Sequence, residues 1–193
     1  CVLGLAAAAA RLSRSRLARG AGAAYTTVIR GVPDLVLMLL VFYGGQIAVN
    51  AAAERLGYEG FLDIDPFVAG VATLGFIFGA YLAETFRGAI LAIPAGPRGA
   101  GDAPGVGRLQ VLFRITLPQM VRLALPGFTN NWLVLVKSTA LVSVIGLNDM
   151  MQRAGQAAGA TREPFTFYVA AGAIYLAITT VSLVALKSLE RRY

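Results

Sequence analysis

The chain contains no histidine and a single cysteine, Cys1. Without an imidazole it has no side chain that ordinarily titrates near neutral pH, and no histidine metal ligand. A lone cysteine excludes an intrachain disulfide. Charge is scarce as well: 14% of the 193 residues are Asp, Glu, Lys or Arg, against about a quarter in an ordinary soluble domain. No segment reads GxxxxGK[ST], so the chain cannot by itself cradle a nucleotide in a P-loop. No paired carboxylates share one apolar run, which leaves acid–base catalysis without candidates. Neither a catalytic residue nor a metal ligand is expected.

Apolar residues are abundant. They make up 57% of the chain, and the mean hydropathy is +0.68. A span needs about twenty residues, so four or five fit in this length beside their connections. The runs predict an all-α integral membrane protein, one domain over 1–193, with about five transmembrane helices. These fall at about 1–10, 32–52, 67–86, 125–147 and 164–186. The first, Cys1 to Ala10, is half the length needed to cross a bilayer and reads as a truncated span. The alternative, a lipidated N-terminal cysteine, would use a polar tether where VLGLAAAAA stands.

The net charge is +7, from 17 Lys and Arg against 10 Asp and Glu. Its placement decides what it means. Five basic residues lie in 11–30, five in 87–122 and three in 187–192, whereas only Arg55, Arg153 and Arg162 fall in the alternate connections. Under the positive-inside rule the first group of segments is cytoplasmic, with the N-terminus outside and the C-terminus inside. This accounts for the basic balance without any nucleic-acid partner. RLSRSRLARG reads as a short basic loop, Glu54, Glu59, Asp63 and Asp65 mark an acidic external loop, and Asp149, Arg153, Arg162 and Glu163 mark a second one. Pro33 suits the start of a helix, and Asp34 beside it favours the positive end of the helix dipole. Trp132, Tyr25, Tyr58, Tyr168 and Tyr193 read as interface anchors in contact with membrane lipid.

The connection of about 87–124 is longer than spanning requires. It is basic and carries Gly99, Gly101 and Gly105, whose spacing fails GxGxxG and follows no strand. Such a loop predicts a soluble partner on the cytoplasmic side.

IRGVPDLVLMLLVFYGGQIAVN, DIDPFVAGVATLGFIFGAYLAETFRGA, LPGFTNNWLVLVKSTALVSVIGL, EPFTFYV and the closing LERRY resemble the Q-type membrane subunits of bacterial ABC importers for histidine, lysine, arginine and ornithine. The matched residues include polar, Gly and Pro positions that hydropathy does not dictate. The resemblance implies a permease fold of the type I importer class in the bacterial inner membrane. It also implies partners: two ATP-binding subunits that hold ATP and Mg, a second permease subunit in a heterodimer, and a periplasmic amino-acid-binding protein. No cofactor would sit on this chain.

By the resemblance, the long connection contains the EAA loop, whose short helix docks in a groove of the ATPase subunit. The matching stretch is Gly99, Ala100, Gly101, Asp102, Ala103, Pro104 and Gly105, with Ile115, Leu117 and Pro118 matching the usual ending. Gly99 stands in place of the family's Glu, Gly101 in place of its second Ala, and Pro104 where a large apolar residue is usual. At about 1 kcal/mol per interior Gly and about 3 for Pro, a helix there would lose roughly 5 kcal/mol. A coupling-impaired or non-transporting scaffold derived from such a permease is the alternative reading that these positions keep open.

For the translocation path the candidates are Glu84, Asn130, Asn131 and Lys137. Lys137 falls about twelve residues into the fourth predicted run, and an ionisable group at membrane depth is a functional hypothesis by default. Its sign is wrong for binding a cation, which favours a structural or gating role. Asn130 and Asn131 can pair across helices or line a polar path. Glu84 can pair with Arg87, three residues on, or act as a counter-charge for a basic amino acid.

Overall fold

Inside a bilayer every backbone N–H and C=O needs a partner within the protein, and an apolar run meets that need by coiling into a helix. The computed structural model of the chain, which describes residues 1–94 and 107–191, contains helices and no strand among those residues. The helices are α1 (Val2–Leu12), α2 (Arg16–Gly31), α3 (Asp34–Arg55), α4 (Pro66–Ala92), a short α5 (Arg108–Val111), α6 (Leu117–Ser138), α7 (Met150–Thr161) and α8 (Pro164–Glu190). Among the described residues four stretches are long and apolar enough to cross a membrane: Asp34–Arg55, Pro66–Ala92, Phe113–Ile145 and Pro164–Glu190. α1 is a shorter apolar helix.

Prolines shape two of these elements. Pro33 caps α3 with its carbonyl accepting from the Leu37 amide at 3.1 Å, and Asp34 occupies the first turn. Between α5 and α6 the backbone opens into a π-helical turn, Leu112–Thr116. It precedes Pro118, whose ring would crowd the carbonyl of Arg114 in a regular α-helix. After Ser138 the chain tightens into a 3-10 segment, Thr139–Ile145, which ends at Gly146 with φ 95°.

The polar connections differ from the expected loops in three places. RLSRSRLARG is not a loop throughout: it breaks only at Ser13–Ser15, and α2 starts at Arg16, with the Ser15 hydroxyl accepting from the Ala18 amide at 3.4 Å. Basic charge marks a side of the membrane but does not oppose helix formation, and Arg, Leu and Ala are strong helix formers. The connection marked by Asp149, Arg153, Arg162 and Glu163 holds α7, because Asp149 caps it and Ala-rich sequence sustains it. At the connection expected over 87–124, α4 continues to Ala92 and helix is present from Arg108.

The chain packs as two units. The first draws on Cys1–Val28, Phe78–Trp132 and Leu183–Tyr193. Its core joins Ala8 of α1, Leu82, Phe86 and Ala89 of α4, Ile93, and Met120 and Ala124 of α6, with Leu117 and Phe128 packed against them. The second unit comprises Ile29–Ile77 and Leu133–Ser182. There the 3-10 segment packs on α3 and α7, burying Val142 and Ile145, and Met38 and Ile77 are fully enclosed. α8 by contrast buries only Ala171 and leaves Leu176 67% and Val181 70% exposed. Apolar exposure on that scale is untenable in water and ordinary in lipid or against another membrane subunit.

Candidate functional site

In the first unit, three helices meet at one ionic cluster. Arg11 ends α1, and its Nη1 donates to Thr26 Oγ1 of α2 at 2.7 Å and to Glu84 Oε1 of α4. Glu84 Oε2 accepts from Arg87 Nε at 3.0 Å and lies 2.9 Å from Arg87 Nη2. Thr26 is buried, and its hydroxyl passes its own proton to the Ala23 carbonyl at 3.2 Å. Both carboxylate oxygens of Glu84 and both functions of the Thr26 hydroxyl are therefore used.

Two glycines make this meeting possible. A Cβ on Gly22 would lie 2.8 Å from Cγ of Arg11, so the missing side chain is the room through which the arginine stem reaches Glu84. A Cβ on Gly79 would lie 2.6 Å from the Tyr25 hydroxyl and 2.8 Å from Cδ2 of Leu3, which lets α4 approach both N-terminal helices. Burial pushes the Tyr25 phenol above its ordinary pKa and keeps it neutral in this contact.

Of the other path candidates, Asn131 faces α4 and donates from Nδ2 to Thr85 Oγ1 at 2.8 Å. Asn130 is exposed, with no hydrogen-bond partner among the described residues. Lys137 lies in the last turn of α6, within the apolar stretch Phe113–Ile145, exposed and without an ion-pair partner among the described residues. Thr129, also on α6, donates to Glu190 Oε1 near the end of α8. Gly99, Ala100, Gly101, Asp102, Ala103, Pro104 and Gly105 lie outside the described residues.

The second unit contributes two features. A pocket of about 410 Å³ is walled by apolar side chains including Phe67, Leu74, Val142 and Ile178, and Asp149 is the one charged residue in its lining. Asp149 Oδ1 accepts from the Gln152 amide at 2.8 Å and so caps α7, and Oδ2 has no hydrogen-bond partner among the described residues. Elsewhere Gln46 and Asn50, one turn apart on α3, hold the connection between α3 and α4. Asn50 Nδ2 donates to the Leu62 carbonyl at 2.9 Å, and Asn50 Oδ1 accepts from the Leu62 amide at 2.8 Å. Gln46 repeats the pattern, donating to the Leu62 carbonyl and accepting from the Ile64 amide at 2.9 Å.

Arg11 and Asp149 escape the sequence reading as site residues because both serve there as markers of membrane side. For Asp149 a local signal exists: an Asp just before an Ala-rich run, with its side chain on the amide three residues later, is an N-cap. For Arg11 there is none, since its partner is 73 residues away.

A family model described as the inner membrane component of binding-protein-dependent transport systems matches residues 1–193. The chain belongs to that family. It is 55% identical over 192 residues to the histidine/lysine/arginine/ornithine transport system permease protein HisQ of Escherichia coli (strain K12), covering 100% of this chain and 84% of the relative. It is 43% identical over 181 residues to the octopine transport system permease protein OccQ of Rhizobium radiobacter, covering 94% of this chain and 76% of the relative. A solved crystal structure of an amino acid ABC transporter with histidines superposes with a TM-score of 0.81 at 30% identity, over 100% of this chain and 84% of that one.

This permease subunit therefore has the type I importer fold and resides in the inner membrane. It transports and does not catalyse: ATP hydrolysis belongs to a separate subunit, and a binding protein works with the complex. An EAA loop is characteristic of the family.

Proposed function

We propose that this subunit conducts basic amino acids, histidine, lysine, arginine and ornithine, across the inner membrane. The observation that carries the substrate class is the 55% identity, over the whole of this chain, to a permease named for those four. The geometry adds a place for them. Glu84 is a poor counter-charge for cargo because two guanidiniums already hold it. Asp149 lines a largely apolar pocket and has one oxygen without a partner among the described residues, a setting that suits a methylene stem ending in a cation. We assign the basic side chain to that pocket.

In this reading the subunit pairs with a second, different permease chain and two ATPase subunits, and ATP and Mg bind on the ATPases. The two membrane chains rock about a central path, opening it alternately to each side. Segment 99–105 passes ATPase closure to the helices, and Glu84, Asn131 and Lys137 shape them. The departures at Gly99, Gly101 and Pro104 favour a second reading, a scaffold whose coupling is impaired. Co-expression with its ATPase, second permease and binding protein separates the two. A transporter brings down the ATPase and shows turnover that rises when the binding protein carries lysine, arginine or histidine. Turnover indifferent to every loaded binding protein rejects transport.

A further inference from the structure

We propose that Arg11 is a positioning residue of the transport cycle, which makes α1 and α2 move as one body with α4. Through it the displacement that ATPase closure imposes on the connection after α4 reaches the N-terminal helices. The inference rests on the reading that this connection meets the ATPase.

Charge balance does not call for Arg11. Glu84 is neutralised by Arg87 from its own helix, three residues on, at 2.9 Å. Adding a second guanidinium leaves the cluster with a net positive charge at a site where Arg11 is only 23% and Glu84 16% exposed, and desolvating an extra charge costs free energy. What Arg11 supplies is connection. One nitrogen, Nη1, reaches acceptors on two different helices, Thr26 of α2 and Glu84 of α4. Gly22 keeps the passage open for its stem.

The location gives the connection its use. Glu84 lies eight residues before Ala92, about 12 Å along the helix. Phe86 and Ala89 in between, and Ile93 just beyond, pack with Met120 and Ala124, so both flanks of the connection enter a single core that also contains Ala8 of α1. Apolar side chains hold such helices together but let them slide. A charge-assisted hydrogen bond with two acceptors on two helices fixes their register.

The test uses the assembled complex, with second permease, ATPase and binding protein, in proteoliposomes. Arg11→Gln is expected to retain co-purified ATPase and basal turnover, while stimulation by loaded binding protein and uptake both fall about tenfold, the loss expected for one hydrogen bond to a charged group. Arg11→Lys keeps the charge and restores part of the stimulation. Stimulation within twofold of the wild type in Arg11→Gln overturns the proposal. If Arg11→Gln does not assemble, Thr26→Val decides. It keeps the shape of Thr26 and removes its hydroxyl, which is the acceptor for Arg11 on α2 and otherwise only donates to the Ala23 carbonyl of the same helix: reduced stimulation in an intact complex supports the proposal, and unchanged stimulation overturns it. A wild-type complex that no loaded binding protein stimulates refutes the transport reading itself, an outcome distinct from any of these.

Discussion

Asn131 of α6 donates through Nδ2 to the Thr85 hydroxyl of α4 at 2.8 Å, and Thr85 passes its proton to the Tyr81 carbonyl of its own helix at 3.3 Å. The relay spans two helices long enough to cross the membrane. Between such helices apolar burial supplies little drive, and polar pairs and close packing do more of the work. Thr85→Val is therefore expected to destabilise the complex by about 1 kcal/mol, because the Asn131 amide is left without its acceptor. Thr85→Ser should cost less. Denaturant titration in detergent micelles measures both, and equal stability of the valine variant and the wild type would remove this bond from the account.

Hydropathy reads the long helices because it registers the same property that makes them helices. A run such as LVLMLLVFYGG cannot leave backbone groups unpaired in lipid, so α3 follows from composition and length. α2 and α7 escape it. Both are short and mixed in polarity, and their charges suit a membrane surface as well as a loop. Their helical state comes from local chemistry, the Ser15 and Asp149 caps and good helix formers, which a scan for apolar runs does not weigh. The ionic cluster is another matter. The pairing of Glu84 with Arg87 is local and follows from a spacing of three. The approach of Arg11 depends on how α1 packs on α4, which no periodicity in the chain encodes.

The paired amides of Gln46 and Asn50 treat residues 62–64 much as a neighbouring strand would, offering donor and acceptor side by side. Each hydrogen bond contributes about 1 kcal/mol. In Asn50→Ala the Leu62 amide should exchange with solvent deuterium roughly five to ten times faster, while Ile64, which Gln46 Oε1 still holds, changes little. Hydrogen-exchange mass spectrometry resolves the two. Unaltered exchange at Leu62 would show that the clamp does not order this connection.

Asp149 and Glu84 should respond differently to loss of charge. Asn caps a helix as well as Asp does, so Asp149→Asn preserves α7 and removes only the anion at the pocket. At pH 8 lysine remains cationic, whereas the histidine side chain, with a pKa of about 6.5, is mostly neutral. Asp149→Asn is expected to lower lysine uptake about tenfold, the effect of losing one charge-assisted contact, and histidine uptake much less. Glu84→Gln should impair both alike, since Glu84 binds Arg11 and Arg87 and not cargo. The reverse pattern in uptake assays would move the cation site from Asp149 to Glu84.

Gly99, Gly101 and Pro104 each disfavour the short helix that the family's EAA motif forms, with a combined penalty of roughly 5 kcal/mol if all three are interior. Docking on the ATPase must then offset that penalty, and part of the contact energy goes into forming the helix. Gly99→Glu with Gly101→Ala and Pro104→Leu removes that cost and adds an acidic side chain at the head of the triplet. The triple variant is expected to retain its ATPase at dilutions where the parent complex dissociates, with a Kd at least about tenfold lower, a fraction of the penalty removed. Affinity and uptake identical to the parent would show that contacts with the ATPase hold this segment as well with two glycines and a proline as with the family's own residues.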